Sequence, residues 1–421
     1  MSSEVVESNE SGMTSQSTAS DTLPPPPATP PAAPQTFWGA VGKYLRGDLG
    51  QLPVLATLVL IAIFFQITSH GLFFKPENLS NLVLQIATLG TIGLASVFVL
   101  LIGEIDLSLG AVAYTCGAVT VVLSSLHGWN AVTSLLAGLV AGALIGLVNG
   151  IFVAVLRVPS FIVTLAGLLG YQGLVIHLLF PQTSLIVSDI TLQNLATTYL
   201  GTVLGVTLPI IAIVLYAGGV IYARLQRQRS KLAVTPAWTM WVRIGVVVVV
   251  AVASIILFES YFGVPQSTMI LVGLVLLFWL IMRFTRFGRH VYAVGGNAEA
   301  ARRAGINVTG VRIVIFVLAS TLAAVGGILL ASRQGVASSD VDQTLLLNAI
   351  ATAVIGGVSL FGGRGSVWSV VLGSLVIGSL ANGLALLNQN TDVIYMVEGV
   401  VLIIAVTADA LVRRRSLVTA R

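Results

Sequence analysis

Apolar runs of about twenty residues recur along almost the whole chain, from Leu52 to Leu411. A helix needs about 20 predominantly apolar residues to cross the hydrocarbon core of a bilayer. Charged residues make up only 9% of the sequence, against roughly 25% in soluble domains. The chain is therefore predicted to be an all-α, polytopic membrane protein. Soluble domains, disulfide scaffolds, nucleic-acid modules and coiled coils are excluded.

About twelve apolar segments can be marked, which predicts about ten to twelve transmembrane helices, some of them short or broken by glycine. They lie near residues 53–69, 82–103, 107–126, 131–156, 161–179, 202–223, 241–259, 267–283, 311–331, 346–361, 366–388 and 393–411. The glycine-rich stretch Gly362 to Gly365 separates the tenth from the eleventh. Two short half-crossings are therefore an alternative to two full spans there.

The distribution of basic residues predicts the orientation. If every segment crosses and the N-terminus is cytoplasmic, all 21 Lys and Arg residues except Lys75 and Arg333 fall on the cytoplasmic side. This asymmetry is what the positive-inside rule requires. Both termini are thus predicted to face the cytoplasm.

Two regions carry structural rather than chemical information. Residues 1–36 are rich in Ser and Pro and too poor in apolar residues to fold alone, which predicts a disordered cytoplasmic tail. Gly138, Gly142, Gly146 and Gly150 recur at every fourth position, a spacing typical of close helix packing in lipid. Asn149, beside them, is either interhelical glue or a lining group for a polar path.

Acidic residues interrupt the apolar pattern between the second and third segments. Glu104, Asp106 and Ser108 lie in a glycine-flanked stretch, and carboxylates so placed usually face a bundle interior, a cavity or the interface. One interpretation is a helix break that lines a transport path, as in transporters with interrupted helices. The other is a tight turn at the cytoplasmic surface. The sequence leaves both open.

Further polar residues lie within or beside the apolar segments. Ser160 and Thr164 begin the fifth segment, Gln172 lies farther along it, and Asn348 begins a polar thread in the tenth. All four are candidates for the same path. Glu398 lies a few residues inside the last segment and requires an arginine or backbone partner that the sequence does not identify.

The connection 284–312 is the longest hydrophilic insert with helix punctuation. Asn297 is a predicted N-cap, Glu299 suits the positive end of the helix dipole, and Gly305 suits the C-terminal stop. A short amphipathic helix on the cytoplasmic face is therefore predicted. The sequence has no G-x4-G-K-[ST] phosphate loop and no clustered metal-ligand motif, so no ATP hydrolysis and no metal are expected in this chain.

Several strings resemble one family of permeases. Glu299-Ala300-Ala301, followed after three intervening residues by Gly305 and extended by Arg302, resembles the E-A-A-x3-G coupling loop of bacterial ATP-binding cassette importers. The strings from Glu104 to Gly110, from Gly146 to Gly150, from Val158 to Gly167 and from Ile350 to Gly363 resemble the monosaccharide branch, the D-xylose type above all. The resemblance covers about residues 50–412, the expected permease domain.

The resemblance implies the transmembrane subunit of an ATP-driven importer that forms the translocation path for a monosaccharide, D-xylose first. It implies a separate ATPase subunit that docks on Asn297 to Gly305, an extracytoplasmic sugar-binding protein and a second permease in a dimer. It places the chain in the bacterial inner membrane and gives it no bound cofactor. The alternatives are a permease for ribose, galactose or branched-chain amino acids, or an ion-coupled secondary carrier using Glu104 and Asp106.

Overall fold

A computed structural model describes residues 52–230, 234 and 236–419. The predicted tail of residues 1–36 lies outside the described residues. Within them the chain is helical, with one small two-stranded sheet.

The first half of the chain contains α1 Leu52–Thr68, α2 Pro76–Leu101, α3 Leu109–Ser125, α4 Ala131–Ala154, α5 Ser160–Leu179, β1 Ser184–Ile186, α6 Ile190–Thr197 and α7 Thr202–Arg229. The second half contains α8 Ala237–Glu259, α9 Gln266–Phe284, α10 Arg286–Gly296, α11 Ala298–Arg303, α12 Val308–Gln334, β2 Val336–Ser338, α13 Gln343–Ile355, α14 Ser369–Leu386 and α15 Thr391–Thr419.

Every predicted apolar segment coincides with a helix, which confirms the all-α membrane fold. In the described part, 8 helices are long and apolar enough to cross a membrane, namely α2, α4, α5, α7, α8, α9, α12 and α14. Helices α1, α3 and α13 are apolar but shorter. Helix α13 has 13 residues, about 20 Å at 1.5 Å per residue, and is short for a core about 30 Å thick. Of the two predicted half-crossings, only the first is therefore a short helix.

The helices differ sharply in burial, which shows where the core lies. The most apolar window of α2 is 78% buried and that of α12 is 67% buried, whereas those of α7 and α8 are only 6% buried. Lipid replaces water around a membrane protein, so apolar residues on peripheral helices remain exposed to it at no cost. Helices α2 and α12 form the centre, and α7 and α8 lie at the periphery.

The glycine face on α4 packs against α12, as the spacing predicted. All four glycines are buried, and a Cβ at Gly146 would overlap the carbonyl oxygen of Phe316 in α12. Cys116 of α3 is buried and forms no disulfide.

Connections between helices gather at two ends of the bundle. Strands β1 and β2 pair antiparallel, with Leu185 opposite Ala337, and join the connections that follow α5 and α12 at one end, the sheet end. The connections after α2 and α4 lie at the other end, because Ile105 and Glu104 contact Ser160 and Arg312 there. This second end carries α11 and is called the α11 end.

We predict that Gly146→Ala lowers the thermal unfolding temperature of the purified protein in detergent. The new methyl group must displace backbone of α12, and overpacking of this kind costs about 1–3 kcal/mol. The control is Gly170→Ala in α5, where a Cβ meets nothing within 4 Å and a helical Gly→Ala change gains up to about 1 kcal/mol. Equal unfolding temperatures for the two variants would contradict the packing.

Candidate functional site

The chain leaves helical geometry between α2 and α3, in a segment that we call the acidic loop, residues 102–108. Helix α2 ends at Leu101 and α3 begins at Leu109. Gly103 has φ +76°, a left-handed conformation that glycine adopts without a steric penalty. The structure thus places a loop between two helices at this position, and the loop directs its two carboxylates to different surroundings.

Asp106 is buried, with 3% of its surface exposed. One carboxylate oxygen, Oδ1, accepts hydrogen bonds from the backbone N–H of Ser108 at 2.8 Å and from its hydroxyl at 2.6 Å. The other oxygen, Oδ2, is buried without a hydrogen-bond partner among the described residues. Burial raises the pKa of this carboxyl to about 6, against the lowering effect of the Ser108 hydrogen bonds.

A chain of hydrogen bonds runs from Asp106 across three helices. The Ser108 hydroxyl accepts from Asn149 Nδ2 of α4 at 3.2 Å, and the Tyr171 hydroxyl of α5 donates to Asn149 Oδ1 at 2.7 Å. Tyr171 was missed at the sequence level, although it lies seven residues after Thr164 and so on the same face of α5. The predicted Gln172 is half-buried and does not belong to this chain.

Two hydroxyl groups at the start of α5 hold the backbone of the acidic loop. The N–H of Ile105 donates to Ser160 Oγ at 3.3 Å, and the N–H of Leu107 donates to Thr164 Oγ1 at 3.0 Å. The Thr164 hydroxyl in turn donates to the carbonyl of Ser160 at 2.9 Å. These side chains replace hydrogen bonds that the break in the helix removes.

Glu104 forms an ion pair with Arg312, a residue of α12 that the sequence analysis did not connect with it. The distance from Arg312 Nη2 to Glu104 Oε1 is 2.9 Å, and the two side chains are 26% and 14% exposed. A pair with this little exposure is weakly screened by solvent. The pair ties the acidic loop to the first turns of α12.

Asn348 of α13 lies apart from the acidic loop's hydrogen-bond chain. Its Nδ2 donates to Glu398 Oε2 of α15 at 3.0 Å. Glu398 is buried, so the partner that its position required is a side-chain amide rather than an arginine or a backbone group. The structure therefore separates Asn348, and likewise Gln172, from the other predicted path residues.

The short helix α11 has the predicted caps. Asn297 Oδ1 accepts from the N–H of Ala300 at 2.9 Å, and Gly305 ends the element with φ +83°. Glu299 forms exposed ion pairs with Arg302 and Arg303, each at 3.3 Å. Ala301 is buried, whereas Ala300 is exposed. The helix therefore rests one face on the bundle and leaves the other free.

Helix α10, which leads into α11, packs against the acidic loop through what we call the glycine joint, formed by Gly103, Gly295, Gly362 and Gly363. A Cβ at Gly295 would overlap the carbonyl oxygen of Leu101, and the N–H of Gly363 donates to the same oxygen at 2.9 Å. Contact this close requires glycine. The chain contacts the acidic loop before α11 through this joint and after α11 through Arg312.

No group of three or more His, Cys, Asp or Glu residues that could hold a metal ion occurs in the described part of the chain. The site instead consists of hydrogen-bond donors and acceptors, one ion pair and a buried carboxyl.

Comparisons with known proteins agree on one family. The family described as branched-chain amino acid transport system / permease component matches residues 78–406. The xylose transport system permease protein of Haemophilus influenzae is 36% identical over 356 residues, 85% of this chain and 95% of the relative. The Escherichia coli xylose permease is 35% identical over 86% and 92%, and the E. coli ribose import permease is 30% identical over 85% and 93%. No solved structure matches the chain.

We predict that Asp106→Asn changes how stability depends on pH. The folded carboxyl has a pKa of about 6 against 3.8 in the unfolded chain, so the folded state binds this proton more tightly. Protonation of Asp106 therefore stabilises the folded protein fully below the unfolded pKa of 3.8, and this stabilisation is lost as the pH rises through about 6. The loss in the free energy of unfolding is on the order of 3 kcal/mol.

The unfolding temperature of Asp106→Asn should therefore rise relative to that of the unsubstituted protein between about pH 4.5 and 7 and stay level above. Thermal unfolding in detergent across this range measures it. Asp392→Asn, at an exposed carboxylate, controls for the loss of one charge. A difference that does not change with pH would contradict the buried position of Asp106.

Proposed function

The chain belongs to the family of branched-chain amino acid transport system permease components, and on that premise we propose that it is the membrane-spanning permease subunit of an ATP-driven monosaccharide importer. D-xylose is the proposed substrate. The observation that carries the proposal is the similarity to xylose permeases over most of both chains. The chain is accordingly a multi-pass protein of the bacterial inner membrane.

The neutral groups of the hydrogen-bond chain support a sugar rather than an amino acid as the proposed solute. The hydrogen-bond chain formed by Ser108, Asn149 and Tyr171 consists of neutral donors and acceptors, which are paired with one another in this structure. Hydroxyl and amide groups both donate and accept, as the hydroxyl groups of a sugar do. An amino acid would carry both an ammonium and a carboxylate, and the hydrogen-bond chain has no cation to pair with the carboxylate.

We propose that ATP is hydrolysed in a separate subunit that docks on α11, and that this chain binds no cofactor. The exposed face of α11, with Ala300, Arg302 and the caps Asn297 and Gly305, supports this assignment. The absence of a phosphate-loop sequence agrees with it. The α11 end and both termini would then be cytoplasmic, as the arginines near α11 favour.

The remaining partners follow from the same proposal. A sugar-binding protein would deliver its ligand to the sheet end, and a second permease would complete the path in a dimer. Closure of the ATPase would move α11, and the glycine joint and the Glu104–Arg312 pair would transmit the movement to the acidic loop. The chain thus supplies an element with two states and performs no chemistry.

The proposal is tested by reconstituting the permease with its ATPase and binding protein in liposomes. Uptake of labelled xylose that requires ATP on the side of the membrane where the ATPase is bound would support the proposal. Unlabelled ribose, fructose and leucine are added in turn as competitors of xylose. Xylose uptake that needs no ATPase and collapses with the proton gradient would overturn it in favour of a secondary carrier using Glu104 and Asp106.

We predict that Gly305→Val reduces ATP-dependent uptake at least tenfold while the protein still reaches the membrane. The backbone at Gly305 has φ +83°, where a β-branched residue is strongly disfavoured, so the end of α11 must change shape. Gly305→Asn is the matched control, because asparagine tolerates this conformation. Equal transport by the valine and asparagine variants would mean that the shape of the end of α11 does not matter for coupling to the ATPase.

A further inference from the structure

A cavity of about 230 Å³ opens at the α11 end between the acidic loop, the turn from α4 to α5, and the start of α12. It is smaller than the roughly 300–1,000 Å³ of sites that hold drug-sized ligands. Its walls combine apolar residues such as Val153 and Val158 with six charged or hydroxyl-bearing residues: Glu104, Arg157, Ser160, Arg302, Thr309 and Arg312.

We propose that this cavity binds the monosaccharide before its release to the α11 side, as a site distinct from the Asp106 hydrogen-bond chain. The inference rests on the proposed function, because it assigns a station on the same path. It adds Arg157, Thr309 and Arg312 to the residues that contact the sugar.

Most of the charge in the lining is paired within the protein, and Arg157 is the one lining arginine for which the described residues show no ion pair. Arg312 is paired with Glu104, and Arg302 is paired with Glu299, so two of the three guanidinium groups have their charges balanced within the protein. An anion would approach the Glu104 carboxylate, and a cation would approach three arginines. A polar molecule without net charge avoids electrostatic repulsion from the carboxylate and from the arginines.

The donors and acceptors match the hydroxyl groups of a sugar. A carboxylate only accepts, a guanidinium only donates, and a serine or threonine hydroxyl does both. The Ser160 hydroxyl already accepts from Ile105 and still has its own proton to donate. Thr309, which is exposed in the lining, has a hydroxyl that both donates and accepts.

The position of the cavity fits the last step of transport. Glu104 contributes to both the cavity and the acidic loop, and Arg302 belongs to α11. Arg157 has φ +59°, so the chain turns sharply there between α4 and α5 and the residue lies at the cavity wall. Movement of α11 would therefore change the cavity directly. Release also requires weak binding, since a transport site must let its solute leave.

The test uses the full-length permease purified in complex with its ATPase, with D-xylose as the probe. Saturation-transfer NMR detects weak binding of the sugar to the complex. Thr309→Trp fills the cavity at an exposed position and should reduce the xylose signal at least fivefold. Val314→Trp lies on the same helix, outside the cavity lining and 49% exposed, and should leave the signal unchanged. If Thr309→Trp does not assemble, Thr309→Leu makes the same test.

Two results would overturn the inference: a xylose signal that Thr309→Trp leaves intact, or displacement of xylose by millimolar inorganic phosphate, which would identify an anion site. ATP-driven uptake separates this inference from the proposed function. If the unsubstituted complex takes up no monosaccharide, the proposed function fails. If it takes up xylose and Thr309→Trp does so equally well, only the cavity assignment fails.

Discussion

Hydrogen bonding of the acidic loop is the constraint on which the rest of the site depends. A break in a helix within an apolar bundle exposes backbone groups that lipid cannot satisfy. Ser160 and Thr164 supply acceptors for two backbone N–H groups of the loop, which fixes the start of α5 against it. The Asp106 carboxylate accepts from Ser108, which fixes the start of α3. The positions of two helices at the α11 end thus follow from the partners of one short segment.

The glycine joint provides the close backbone contact that the proposed mechanism needs. The end of α2, directly before the acidic loop, approaches α10 so closely at Leu101 and Gly295 that a side chain at the latter position has no room. Backbone in direct contact leaves little freedom for one segment to move without the other, since packed interiors transmit displacement rather than absorb it. Where side chains separate two loops, a change of rotamer can take up a small movement. At the glycine joint no side chain separates the two segments, so a change of rotamer cannot take up the movement. This suits the proposed transmission of movement from α11 to the acidic loop.

Periodic features of this chain were predictable, and pairings between distant residues were not. The spans, the glycine face of α4 and the caps Asn297 and Gly305 follow from local spacing, because each depends on neighbours within one or two helical turns. The Glu104–Arg312 and Asn348–Glu398 pairs join helices that are remote in sequence, and no local pattern specifies which helices meet. Tyr171 lay between these cases: its spacing from Thr164 was visible, but its partner Asn149 was not.

The two carboxylates of the acidic loop have different surroundings, although only one residue separates them. Glu104 lies where an ion pair with Arg312 balances its charge, as expected near an aqueous end. Asp106, two residues later, is buried with one oxygen unpartnered and its pKa raised to about 6. Separating Glu104 from Arg312 would leave a poorly solvated charge without its counterion, which is strongly unfavourable. The loop and the first turns of α12 are therefore expected to move as one unit, with Asp106 carried along inside it.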